Sequence, residues 1–339
     1  MNIKHLPDFF MDENGQAVAG ADWDRQRERI KSMLFEYEYG IMPGKPDSLE
    51  FVREIKVDDY CAGKAVYEKI SAEGTVGGKS FSFPFYAVVP VRQNKLPAFV
   101  HINFRDNVPD QYMPTEEIID NGFAVFSFGY QDVTADNDDF SDGAAALFSR
   151  NEDNAPGKIA VWAWAASIVM DYVCSRGDIG DTAVVGHSRL GKTALLAGAV
   201  DERFKFVISN DSGCGGAAVT RGKKGERIAD IMGAFPFWFC KNYGSFSRCE
   251  ESMPFDQHFL LALAAPRYLY VASAKEDTWA DPEAEFEGCN EASRAWELLG
   301  LNGLEKPGCK GHIGYHNRDG THYLSRYDWQ KFMEFIKTH

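Results

Sequence analysis

The chain has 339 residues, 45% hydrophobic and 25% charged, a balance that supports a folded core and excludes disorder, collagen and an isolated coiled coil. Lys and Arg number 36 against 50 Asp and Glu, a formal charge of −14, so polyanions are repelled and no nucleic-acid partner is expected. The longest nearly pure apolar stretch, Val161 to Met170, is about half a bilayer span, so no membrane partner is expected either.

The N-terminal residues Met1 to Asp8 carry no apolar run after Lys4, which reads as cytoplasmic as written, or as secreted or periplasmic if a signal was removed. Seven scattered cysteines without a Cys-x-x-Cys pair read as mostly buried thiols rather than a zinc site or a disulfide framework.

From the N-terminus, Asp22 to Gly40 places Ile30, Met33, Leu34 and Tyr37 on one helical face, and Gly40 stops the helix. Phe51 to Pro90 alternates and turns at Gly77-Gly78, the pattern of antiparallel strands. Beyond Pro97 the character changes. Short apolar runs at Ala98–Ile102, Ala124–Phe128, Thr182–Val185, Phe206–Ser209 and Tyr268–Ala272 alternate with helical segments, as parallel strands and crossovers do. The helices expected there include Lys158–Val173, Phe259–Ala265 and Tyr327–Ile336, with Trp162 and Trp164 read as packing. No repeat or linker interrupts the chain. The expectation is one doubly wound α/β domain over 1–339, a helix and antiparallel β extension over 1–95 preceding a core over 96–339.

The most informative segment is Ala183-Val184-Val185-Gly186-His187-Ser188-Arg189-Leu190-Gly191-Lys192-Thr193, an apolar strand, a tight polar turn and a helix. Two mechanisms claim it. Gly186, Gly191, Lys192 and Thr193 satisfy G-x-x-x-x-G-K-[ST], in which amides cradle phosphates, Lys reaches the terminal ones and Thr binds magnesium; that is the alternative of a nucleotide phosphotransferase. Read from Ser188, the same turn is a nucleophile elbow, although Leu190 stands where G-x-S-x-G requires glycine. Position favours the elbow, because a phosphate loop normally follows the first strand of its domain and several strands precede Gly186. Order favours it too. An acid and then a histidine follow the serine: Asp277 or Asp211, each after a predicted strand, and His322 in a polar loop.

These residues, with Ser212-Gly213-Cys214-Gly215-Gly216, Trp279, and Gly314-Tyr315-His316 leading to Gly320-Thr321-His322, resemble the glucuronoyl esterases of carbohydrate esterase family 15. The resemblance runs from about residue 103 to residue 329. It implies an α/β-hydrolase fold with a Ser-Arg-x-Gly elbow, Ser188 as nucleophile, His322 as base, Arg189 as oxyanion stabiliser, and Lys192 and Trp279 as sugar-binding residues. It also implies a carbohydrate ester as substrate, specifically an ester of glucuronic acid, with no cofactor. The family's usual acid before Ser-Gly-x-Gly-Gly is Glu, and the shorter Asp211 stands here, so Asp277 and Asp211 both remain candidates. Phe235, near Trp238, occupies a place where fungal members carry a sugar-binding Glu.

An acetyl xylan esterase and a sugar-binding protein without catalysis are the remaining alternatives. His187, His258, His312 and His316 are read as packing or hydrogen-bonding histidines, with no metal site expected. The acidic run Asp132 to Asp142 lacks EF-hand spacing and is read as a solvated loop.

Overall fold

A computed structural model describes residues 5–11, 15–91, 95–306 and 310–339. The helices, in chain order, are α1 (Trp23–Tyr37), α2 (Tyr60–Gly63), α3 (Thr115–Asp120), α4 (Tyr130–Val133), α5 (Lys158–Ser175), α6 (Arg189–Val200), α7 (Ile228–Ala234), α8 (His258–Ala262), α9 (Pro282–Leu298) and α10 (Arg326–Thr338). The strands are β1 (Ser48–Asp59), β2 (Ala65–Val76), β3 (Lys79–Pro90), β4 (Leu96–Asn103), β5 (Ala124–Gly129), β6 (Ile179–His187), β7 (Phe206–Asn210), β8 (Tyr268–Ala274) and β9 (Ile313–Arg318).

All nine strands join one sheet in the order β1-β2-β3-β5-β4-β6-β7-β8-β9. β1, β2 and β3 pair antiparallel, and β3 meets β5 antiparallel through Tyr86 to Val88. From β5 to β9 every pairing is parallel. The N-terminal hairpins therefore extend the central sheet rather than forming a layer of their own, and the molecule has the α/β-hydrolase architecture.

One face of the sheet packs on α1, α5, α6, α8 and α9, the other on α3 and α10. Such two-sided cover explains why the central strands are continuous apolar runs: β5 is buried at every position. α5 is likewise apolar nearly all round. Its Trp162 meets Tyr130 at 4.9 Å and its Trp164 meets Phe81 at 5.0 Å, so both tryptophans are core residues.

Several elements have no counterpart in the sequence reading, among them α2, α3, α4, α7, α9 and β9. β9 was not anticipated because Ile313-Gly314-Tyr315-His316-Asn317-Arg318 is an edge strand with little apolar alternation. α9 was also missed, although Asp281, Pro282 and Glu283 are a helix start: the Asp281 carboxylate accepts from the Ala284 amide.

The acidic run 132–142 is solvated in part, with Asp132, Asn137, Asp138, Asp139 and Ser141 exposed, but it is also anchored from within. Asp142 accepts from the Thr134 hydroxyl and the Ala135 amide at 2.9 Å each, and from the Lys158 ammonium at 3.2 Å. Lys158, wholly buried at the start of α5, also donates to the Thr134 hydroxyl at 2.7 Å and the Asp139 carbonyl at 2.6 Å. The reason is local. Buried ammonium needs several acceptors, and this segment supplies them.

Candidate active site

In an open parallel sheet, ligands meet the carboxyl ends of the strands. Ser188 follows β6, Asp211 follows β7, Asp277 lies three residues past β8 and His322 four past β9, so four consecutive parallel strands deliver the site. Ser188 sits at φ 59 and ψ −127 between β6 and α6. A non-glycine residue holds such angles only where its surroundings enforce them, and here they bring its hydroxyl out of the sheet edge.

The glycines flanking Ser188 have separate reasons. A Cβ on Gly186 would stand 2.1 Å from the Leu190 carbonyl oxygen. On Gly191 it would meet the Ser209 hydroxyl at 2.9 Å and the Asn210 carbonyl at 3.1 Å. The late glycine thus lets α6 press against the end of β7, while Leu190 goes into the core.

Ser188 Oγ lies 2.8 Å from His322 Nε2, and His322 Nδ1 lies 2.6 Å from Asp277 Oδ2. With Nδ1 carrying its hydrogen toward the carboxylate, Nε2 is left to accept from the hydroxyl. Burial pushes the Asp277 carboxyl upward, but the hydrogen bond and charge of His322 outweigh it and hold the group below its usual range. The Asp277 carboxylate also accepts from the Ala280 amide at 3.2 Å. Beneath His322 lies the His187 ring, centroid to centroid 4.5 Å, tied to Asn210 by a 2.6 Å hydrogen bond. Burial, with the His322 charge, lowers His187 to about 3, so it packs as a neutral ring.

The second acid candidate is placed differently. Asp211 Oδ2 accepts from the Tyr323 amide at 3.3 Å and the Arg318 guanidinium at 3.4 Å, while Oδ1 is buried with no hydrogen-bond partner among the described residues. Burial, then the Glu285 and Asp277 charges, raise Asp211 to about 9 against the pull of Arg318. In this geometry Asp277 orients the imidazole and Asp211 braces the loop that carries it.

Arg318 is a residue the sequence reading did not single out. Its guanidinium is gripped by the Asp328 carboxylate, at 2.9 and 3.1 Å from Nε, and donates to the carbonyls of Asp319, Thr321 and Tyr323. It therefore fixes the chain on both sides of His322. Asp328 is itself the third residue of α10 and forms a capping box with Ser325, the one local signal that was available.

Arg189 is the first residue of α6, where an amide has no intrahelical acceptor and is open to an oxyanion. Its guanidinium is bonded to Asp136 and lies over the Trp238 ring, 4.6 Å from the centroid. Trp279, 58% exposed, presents its indole to solvent beside Asp277. Lys192 departs from its expected place. It is buried and donates to the Ser212 carbonyl, so its ammonium supports the Ser212–Gly216 turn instead of standing open to a sugar.

That placement also removes the phosphate-loop reading. Lys192 and Thr193, the groups that would face phosphate and magnesium, turn inward, with the Thr193 hydroxyl donating to the Arg189 carbonyl at 2.9 Å. Among the described residues the cluster of metal-type donors is Asp211, Asp277 and His322, and both ring nitrogens of His322 are already engaged.

Residues 73–300 match the family model for glucuronyl esterase, fungi. The carbohydrate esterase MZ0003, from an unknown prokaryotic organism, is 32% identical over 98% of this chain and 89% of its own. A 4-O-methyl-glucuronoyl methylesterase of Hypocrea jecorina is 27% identical over 94% of this chain and 65% of its own. The solved glucuronoyl esterase from Solibacter usitatus superposes with a TM-score of 0.92 at 30% identity, covering 99% of this chain and 98% of that one. With that agreement of sequence, fold and strand-end chemistry, the chain belongs to the glucuronyl esterase family and is a carboxylic ester hydrolase.

Proposed function

We propose that the protein cleaves esters of glucuronic acid through a Ser188 acyl-enzyme. The observation that carries the mechanism is the continuous hydrogen-bonded chain Ser188, His322, Asp277 at 2.8 and 2.6 Å, beside the open start of α6. His322 takes the Ser188 proton through Nε2 as Oγ attacks the ester carbonyl, and Asp277 steadies the imidazolium. The Arg189 amide and guanidinium bear on the tetrahedral oxyanion. Collapse expels the alcohol, which takes its proton from His322. Water, deprotonated by the same imidazole, then attacks the acyl-enzyme and releases the uronate and Ser188.

The uronate is supported by the methylesterase relative and the Solibacter usitatus neighbour. Trp279 offers an exposed indole face on which a pyranose ring can lie. The test compares benzyl glucuronate with 4-nitrophenyl acetate, each with wild type and Ser188→Ala. Ser188-dependent turnover on the uronate ester upholds the reading. Turnover confined to the acetate keeps the serine mechanism but rejects the uronate, and turnover unchanged in Ser188→Ala rejects the nucleophile.

A further inference from the structure

The geometry points to Asp136 as the positioning residue that holds Arg189 ready for the oxyanion. Asp136 lies in the acidic segment after α4, 53 residues before its partner. Its carboxylate accepts from three side chains at once: Arg189 Nη1 and the Tyr130 hydroxyl, the latter at 2.9 Å, on Oδ2, and Trp238 Nε1 at 2.7 Å on Oδ1.

Aromatic rings surround the guanidinium. Trp238 and Phe104 lie 4.6 and 5.6 Å from its central carbon, and Phe235 stacks on Trp238 at 4.0 Å with 3° between the ring planes. The plane of Arg189 is thereby set by aromatic faces and its rotation by a carboxylate. Asp136 itself is anchored through its chain neighbours. The flanking segment is fastened by Asp142 and the buried Lys158 ammonium, and the Trp162 indole donates to the Thr134 carbonyl at 3.3 Å.

Arg189 Nε is buried and has no hydrogen-bond acceptor among the described residues. Here the carboxylate takes Nη1 and fixes the guanidinium charge on the residue next to the nucleophile before the oxyanion forms, which is how an oxyanion stabiliser is preorganised. The oxyanion exists only in the transition state, so losing the clamp lowers kcat more than it raises KM.

This rests on Ser188 and Arg189 acting as proposed above. The test measures kcat and KM on benzyl glucuronate for Asp136→Ala, Asp136→Asn, Arg189→Met and the double variant Asp136→Ala/Arg189→Met, with Ser188→Ala alongside. We expect Asp136→Ala to lower kcat about 100-fold with KM changed less than about threefold, the range for losing one oxyanion donor. Asp136→Asn, which keeps an acceptor for Trp238 or Tyr130 but loses the charge, falls about tenfold. In the Arg189→Met background Asp136→Ala costs less than about threefold, because its route of action is gone. An equal loss in both backgrounds, or kcat unchanged in Asp136→Ala, overturns the proposal. Should Asp136→Ala fail to fold, Asp136→Asn within twofold of wild type overturns it. Turnover that persists in Ser188→Ala identifies the other failure, that of the nucleophile.

Discussion

Two carboxyls stand near one imidazole, and their surroundings give them opposite protonation states. Asp277 is held ionised by its hydrogen bond and charge pairing with His322, whereas buried Asp211, near the acids Glu285, Asp277 and Asp328, is raised to about 9. At pH 7 Asp211 is therefore a neutral acid, and asparagine imitates it. Asp211→Asn should leave kcat within about fivefold of wild type. Asp277→Asn should lower it by roughly 10⁴, because the amide favours the wrong imidazole tautomer. Steady-state kinetics of both variants at pH 7 decide this, and a deeper loss in Asp211→Asn would reverse the assignment. From sequence Asp277 is the preferred acid, because Asp211 is a methylene shorter than the family's Glu, but both remain candidates since each follows a parallel strand. What separates them is where the β9 loop delivers His322, and chain order does not contain that.

The elements act on the site through two close approaches. Gly186 lets β6 pass beneath the first turn of α6, and an added Cβ would lie 2.1 Å from backbone oxygen, which cannot swing aside as a side chain can. Gly186→Ala should cost roughly 3 kcal/mol or more, by overpacking joined to backbone displacement, and abolish Ser188-dependent turnover. Chemical denaturation reads the first and labelling of Ser188 by an activated phosphonate the second. The other approach is Arg318, which ties the His322 loop to α10. Arg318→Ala should leave the fold cooperative and lower kcat/KM about 100-fold, since a misplaced base loses its alignment with Ser188. If kcat/KM is unchanged, the loop holds itself. The elbow was legible because its strand, turn and helix are contiguous, so local apolar pattern and glycine placement specify them. Asp136 and Arg318 were not legible. Both are charged residues in segments that read as exposed, and each is recruited by a partner distant in sequence, Asp136 by Arg189 and Arg318 by Asp211.

Across the whole molecule, buried titratable groups set opposing slopes of stability with pH. His101, His187 and His258 are each lowered to about 3, chiefly by burial, and so are neutral in the native state. The unfolded chain binds their protons below about 6.5 while the native chain does not, so this stability is present above pH 6.5 and is lost as pH falls toward 3. Glu38 works the other way. Burial, opposed by the hydrogen bond from Gln257 and reinforced by the Asp256 charge, raises it to about 8. The unfolded chain releases that proton above about 4.5 while the native chain keeps it, so stability is full below pH 4.5 and declines as pH rises through 8. One proton held only by the native state gives a slope of at most about 1.4 kcal/mol per pH unit. Glu38→Gln keeps the shape and removes the proton. Its unfolding free energy, measured by denaturant titration from about pH 3.5 to about pH 8.5, should decline less steeply than that of wild type above about pH 7, where the histidines no longer titrate, whereas the limb below about pH 4.5 should be the same in both. Parallel curves on the alkaline side would show that Glu38 ionises freely in the fold, and the buried pocket between Tyr39 and Gln257 would then have to admit a charge.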